Sequence, residues 1–250
     1  ALLGRWLTNQ PASELALDGQ RQETGWQLRG HARFADRSGR IVTEPTFEWS
    51  QTGEQWQGRI RDLRAQEIAA WATPWLNEPT RPWLASLNPQ GELPEIAVQA
   101  ATGTYAVTIQ LRDVALQAAH GLPGLSHLTG TLEFAPDQGR IKLDSRQVRV
   151  ETAGLLRAPV TLDTMAGTLT WTRGADGFRL ESAGLDLANA DLNARVWGSV
   201  AAPDTGQPLL DLQGLFREVR VGRVRRYLPT TLPADGLAWM DQALVDGRAA

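Results

Sequence analysis

Three histidines, His31, His120 and His127, are the first side chains here that could bind a metal or shuttle a proton. They are scattered without ligand spacing, and His120 and His127 flank a Gly121-Leu122-Pro123-Gly124 turn signal. All three are read as loop residues, and no metal site is expected. Gly124-Leu125-Ser126-His127-Leu128 approaches a nucleophile elbow, but it lacks the final glycine and no strand-to-helix pattern follows. No glycine-rich phosphate loop precedes a helix, so no cofactor is expected. Glu133, Asp144, Glu181 and Asp186 alternate with apolar neighbours, as acids on a solvated sheet face do. A glycosidase would need two of them converging in a cleft. Ten tryptophans leave two readings open, a sugar-stacking platform or large strand residues such as Trp49, Trp56 and Trp171 on a buried face. No residue set here calls for a catalytic step.

The elements that carry these residues are short alternating runs. Trp26-x-Leu28-x-Gly30-x-Ala32-x-Phe34, Phe47-x-Trp49, Trp56-x-Gly58-x-Ile60 and Leu210-x-Leu212-x-Gly214-x-Phe216 have period two and are separated by Gly, Asp and Pro. Turns this close together favour antiparallel meanders over crossover helices. Two stretches depart from the pattern. Residues 62–76 suit a short helix before Pro74, and residues 222–246 repeat Leu237, Met240 and Leu244 at helical spacing after Pro233 and Asp235.

Residues 130–150 and 167–187 align without a gap as two copies of one hairpin, 37 positions apart. Gly130-Thr131-Leu132-Glu133-Phe134 matches Gly167-Thr168-Leu169-Thr170-Trp171, and Ile141-Lys142-Leu143-Asp144-Ser145 matches Phe178-Arg179-Leu180-Glu181-Ser182. One face of this hairpin is apolar. Continued over the neighbouring strands, this face has as its expected members Tyr105, Val107, Ile109, Leu111, Leu132, Phe134, Ile141, Leu143, Val148, Val150, Leu169, Trp171, Phe178, Leu180, Leu185, Leu187, Leu192 and Val196. Periodicity leaves two coverings open: a second sheet closing a sandwich, or an exposed face that takes acyl chains.

Composition narrows the classes. With 250 residues the chain can bury a real core. A net charge of −3 argues against a nucleic-acid partner, and the absence of cysteine excludes disulfides and thiolate metal sites. No run of 18 apolar residues could span a bilayer. The beginning, without Met or a signal-peptide layout, and the end at Asp246-Gly247-Arg248 suggest an excerpt of a longer protein.

Several segments resemble the YhdP family of large AsmA-like proteins of the Gram-negative envelope. Tyr227-Leu228-Pro229, then Leu232-Pro233 and Leu237-x-Trp239-Met240-x-x-Ala243-Leu244-x-x-Gly247, are similar to a recurring element of that family, with Met240 where Leu is expected. Trp83-Leu84-x-x-Leu87-Asn88-Pro89-Gln90-Gly91-Glu92-Leu93 and the Gly-Thr-Leu hairpins also resemble it, so the likeness runs from about residue 60 to 250. The resemblance implies a mostly β chain: an elongated, curved antiparallel β-sheet, a repeating half-pipe groove. Residues 1–250 would be one continuous segment, with helical excursions at 62–76 and 222–246. The parent would be anchored in the inner membrane outside this segment and lie in the periplasm. Phospholipids would be its cargo, moved between inner and outer membrane to support the outer-membrane barrier.

Overall fold

The computed structural model describes residues 13–35, 41–72, 80–119, 122–151, 154, 158–227, 230, 233, 235–236, 242 and 247–249. Among them the chain is mostly strand. It forms one open antiparallel sheet of fourteen strands with a few short helices. The strands are β1 (Ser13–Gln22), β2 (Gly25–Ala35), β3 (Ile41–Thr43), β4 (Thr46–Thr52), β5 (Gln55–Arg64), β6 (Gln90–Ala101) and β7 (Thr104–Leu116). Then come β8 (Gly124–Ala135), β9 (Gln138–Glu151), β10 (Val160–Gly174), β11 (Gly177–Ala188), β12 (Leu192–Ala202), β13 (Leu209–Arg220) and β14 (Arg248–Ala249). Sequence order is sheet order, except that β3 pairs only with β2. The expected meander is therefore present. The contacts divide into two compact units, Ala1–Arg112 with Thr131–Pro136, and Asp113–Gly130 with Asp137–Ala250.

In the first unit, Ala32, Phe34 and Phe47 are buried, with Leu15, Trp49 and Ile60 packed against them. Helix α1 (Ala65–Ala72) packs on β5, β6 and helix α2 (Thr80–Leu87). The helix expected over 62–76 starts later because β5 runs on to Arg64, with Leu63 paired to Leu93. Its first turn is held by half of a capping box: the Arg64 N–H donates to Glu67 Oε2 at 3.2 Å. Burial pushes the Glu67 carboxyl above its ordinary range, and that same hydrogen bond pulls it back. Residues 73–79 lie outside the described part. The Trp83–Leu87 stretch is itself helical; Pro82 is tolerated in the first turn, and Asn88, at φ 41°, closes the end.

In the second unit, β9 to β12 pair in the hairpin pattern that the repeat predicted, with one adjustment. The turns after β8 and β10 are Pro136-Asp137 and Ala175-Asp176, 39 positions apart rather than 37. A slip of two residues leaves every side chain on its original face. A 3-10 helix, Val221–Tyr227, follows β13. Of the helix expected over 222–246, Asp235 and Gly236 are helical, whereas Leu237, Met240 and Leu244 lie outside the described residues.

Long strands in both units switch faces partway. On β5 the inward residues are Gly58 and Ile60, then Leu63, with Asp62 at φ 60° between them. On β9 they are Leu143 and Ser145, then Val148, with Gln147 at φ 54°. Asp113 on β7 and His127 on β8 have the same left-handed conformation, and β11 shifts register between Ser182 and Leu185. At Asp62 and Gln147 the paired strands step together and keep their register through the switch, whereas on β11 one extra residue makes a bulge that kinks the strand and raises local twist.

Candidate functional site

Directly opposed residues on neighbouring strands stand on the same side of a sheet. In the second unit the register therefore assembles one apolar face. Ile141 opposes Leu169, Val148 opposes Leu162 and Val150 opposes Val160. Trp171 opposes Leu180 and Leu187 opposes Met165. Leu185 opposes Val196 and Phe178 opposes Ala202, while Leu192 meets Val219. Leu143 belongs to the same row, across from Gly167. In the first unit β7 carries Tyr105, Val107, Ile109 and Leu111, and β8 carries Leu132 and Phe134. The Tyr105 and Phe134 rings meet edge-on at 6.4 Å.

This face is neither sealed nor fully open. In the second unit Val148 is 0% exposed and Leu162 4%, and Leu143, Met165, Leu192 and Ala194 are also buried. Toward the hairpin turns, Ile141, Leu169, Trp171 and Leu180 are half-buried and Phe178 is 38% exposed. Strand β13 is exposed on both sides: Leu210 at 62% and Leu212 and Phe216 above half on the apolar face, and Leu209 at 70% and Leu215 at 49% on the other. The first unit repeats the trend: Leu63, Leu93 and Ile96 are buried near the helices, whereas Trp56 and Tyr105 are exposed.

Glycines keep the face shallow where large rings lie on it. Trp171 opposes Gly139, Trp49 opposes Gly58 and Phe47 opposes Gly30. A Cβ on any of these glycines would overlap the facing ring. The rings thus lie across the neighbouring strand. The other face is charged. Arg59 and Arg61 share Glu95, Arg33 bridges Glu14 and Glu44, and Arg195 and Asp186 pair at 3.1 Å. Such exposed pairs add little stability, but they make that side a poor surface for lipid or a second sheet.

The residues considered for chemistry do not assemble. His127 is on β8 rather than in a loop, and its Nδ1 lies 2.6 Å from Asp113 Oδ1, so the pair joins two left-handed residues of neighbouring strands. Ser126 is within β8, with no helix after it as an elbow requires. His31 is an exposed residue of β2, and His120 lies outside the described residues. Among the described residues no three His, Asp or Glu could hold a metal ion, and no helix is long and apolar enough to cross a membrane. Trp26 and Trp56 meet edge-to-face, at 5.3 Å and 78°, rather than as the coplanar shelf a sugar ring would lie on. Trp26 Nε1 is held by Gln51 Oε1.

The sequence reading missed the inward residues Val160, Leu162 and Met165 of β10 and Ala194 of β12. They lie outside the duplicated motif, although Val160-x-Leu162 alternates as the other strands do. It also left the inner face of β2 to β5, whose alternation it had read, out of the expected set.

A search of curated proteins matches the intermembrane phospholipid transporter YhdP of Escherichia coli (strain K12), 25% identical over 187 residues. The match covers 73% of this chain and 14% of that relative, so the chain spans a small part of its length. No solved structure matches. The family model for the YhdP protein matches residues 6–250, nearly the whole chain, which therefore belongs to the YhdP family.

Proposed function

We propose that this chain is a segment of a hydrophobic groove that carries phospholipids between the inner and outer membranes and so supports the outer-membrane barrier. The observation that carries this reading is the half-open apolar face. One sheet presents a row of aliphatic and aromatic side chains that grades from dry to accessible, and the opposite face is covered in ion pairs. Acyl chains would lie along Leu180, Leu185, Val196 and their neighbours, with head groups in water. Each buried methylene is worth about 0.8 kcal/mol, and a chain sliding between similar sites keeps that stabilisation at every step. Movement then needs no catalytic chemistry from the segment. The short helices brace the closed end. The whole protein would be anchored in the inner membrane by a part outside these residues and would lie in the periplasm. The chain would act as one continuous stretch of groove.

Photo-crosslinking residues placed singly at Leu180 and Val196, and on the charged side at Glu181 and Arg195, test this in cells. Phospholipid adducts are expected from the first two positions only. Equal labelling of both faces, or no lipid on either, would reject the groove.

A further inference from the structure

The chain's small net charge conceals a strongly basic segment. Between Arg217 and Arg226 five arginines face the single acid Glu218, a charge of +4, which leaves −7 on the rest of a chain whose total is −3. All five arginines are exposed. The structure holds the segment in place through Asp191. Its backbone oxygen accepts the Arg220 N–H at 2.8 Å, and its carboxylate accepts from Arg226 and from the Tyr227 hydroxyl, each at 3.3 Å. Asn189 adds a second hold on the Tyr227 hydroxyl, donating through Nδ2 at 2.9 Å. Asp191 thus holds both ends of the 3-10 helix, the start through its backbone oxygen and the end through its carboxylate, which also neutralises one guanidinium.

In a 3-10 helix residues three apart stack on one face, about 6 Å from turn to turn. Arg220, Arg223 and Arg226 have that spacing, Arg220 immediately preceding the helix. Among the described residues Arg217, Arg220 and Arg223 have no ion-pair partner. The nearest notch, about 50 Å³, is lined by Asn189, Asp191, Glu218 and Arg220 among others. An excess of planar guanidinium forks over carboxylates suits a phosphate oxyanion.

The segment's position selects the kind of phosphate. It continues β13, whose Leu210, Leu212 and Phe216 oppose Val200, Gly198 and Ala194 on the apolar face and are the most accessible of that row. Four residues of strand, about 13 Å, separate Phe216 from Arg220; Val219 meets Leu192 on the apolar face, so Arg220 stands on the other side of the strand end and a head group bound there reaches around that end. A phospholipid has the same layout, an anionic phosphate beside apolar chains. A zwitterionic head group brings its own ammonium into the guanidinium cluster and loses part of the attraction. We infer that Arg220 and Arg223, with Arg217 beside them, form a head-group station for an anionic phospholipid whose acyl chains lie on Leu210, Leu212 and Phe216. This rests on the groove reading above and adds a lipid preference to it.

The test compares loading of the chain with fluorescent-tailed phosphatidylglycerol and phosphatidylcholine of identical acyl chains, in wild type and in the double variant Arg220→Gln/Arg223→Gln. Wild type is expected to favour phosphatidylglycerol by about tenfold at low salt. The variant should lose that preference, keep its phosphatidylcholine binding and melt at the wild-type temperature, because it spares Asp191, Arg226 and Tyr227. A preference absent in wild type, or surviving in the variant, overturns the station and leaves the groove standing. Release of bound phosphatidylglycerol by millimolar inorganic phosphate would assign the cluster to free phosphate instead. Failure of wild type to load either lipid rejects the groove reading, and the station with it.

Discussion

Ser145 is 1% exposed and sits among aliphatic side chains, where a hydroxyl must find partners. It has two on the neighbouring strand, donating to the Thr129 carbonyl at 3.0 Å and accepting the Thr129 N–H at 2.9 Å. Ser182, its counterpart in the repeat, donates to the Thr168 carbonyl at 3.0 Å and accepts the Gly184 N–H at 3.1 Å. Both serines lie beside a face switch, where the ladder is broken and backbone groups lose their usual partners. The repeated serine was visible in the sequence, but alternation alone gave it no task; that needed the register. Ser145→Ala leaves one buried N–H and one buried C=O unmet, a loss of about 1–3 kcal/mol for each group that water cannot reach. Urea unfolding should show it as a lower midpoint at unchanged slope. An unchanged midpoint would mean that water reaches Thr129 and that this end of the face is wet.

Most strands of this chain were legible as elements because each alternates at period two and ends at Gly, Asp or Pro. What alternation could not show was the face switch. The inward set predicted on β9 jumps from Leu143 to Val148, an odd step, and on β11 from Leu180 to Leu185. Those jumps were the signal of a face switch, hidden because residues such as Gln147 rarely adopt positive φ. Helix α2 was obscured by Pro82, which reads as a breaker unless its place in the first turn is known. The strands also depend on pairs that single-strand patterns do not reveal. Gly139 looks like a weak point of β9 until Trp171 is found across it. Gly139→Ala should lift that ring and cost about 1–3 kcal/mol by overpacking. Adding Trp171→Leu should recover part of the loss, since the smaller side chain leaves room for the methyl group. Thermal melts of the single and double variants measure the coupling. Simple additivity would show that the ring does not need the glycine.

For the whole molecule, the undecided matter in the sequence was what covers the apolar face, and accessibility along the strands bears on it directly. A sandwich would dry the face from end to end. Here burial is complete at Val148 and Leu162 and incomplete from Leu180 outward to β13. The gradient predicts that equal charges placed on one face will have unequal effects. Leu162→Asp puts a carboxylate where no water or cation can meet it, a penalty of several kcal/mol that should leave the chain largely unfolded. Leu180→Asp stands where the carboxylate can hydrate, so its cost is mainly the lost burial of one leucine, about 1.5–3 kcal/mol at most. The fold should survive, as judged by circular dichroism. Lipid loading should nevertheless fall sharply, because an acyl chain crossing Leu180 would have to strip water from a charge. If both variants unfold together, Leu180 lies in a sealed core and the face is structural. If Leu180→Asp folds and still loads lipid normally, acyl chains take another course. Survival of the fold with loss of loading is the outcome that only a half-open groove predicts.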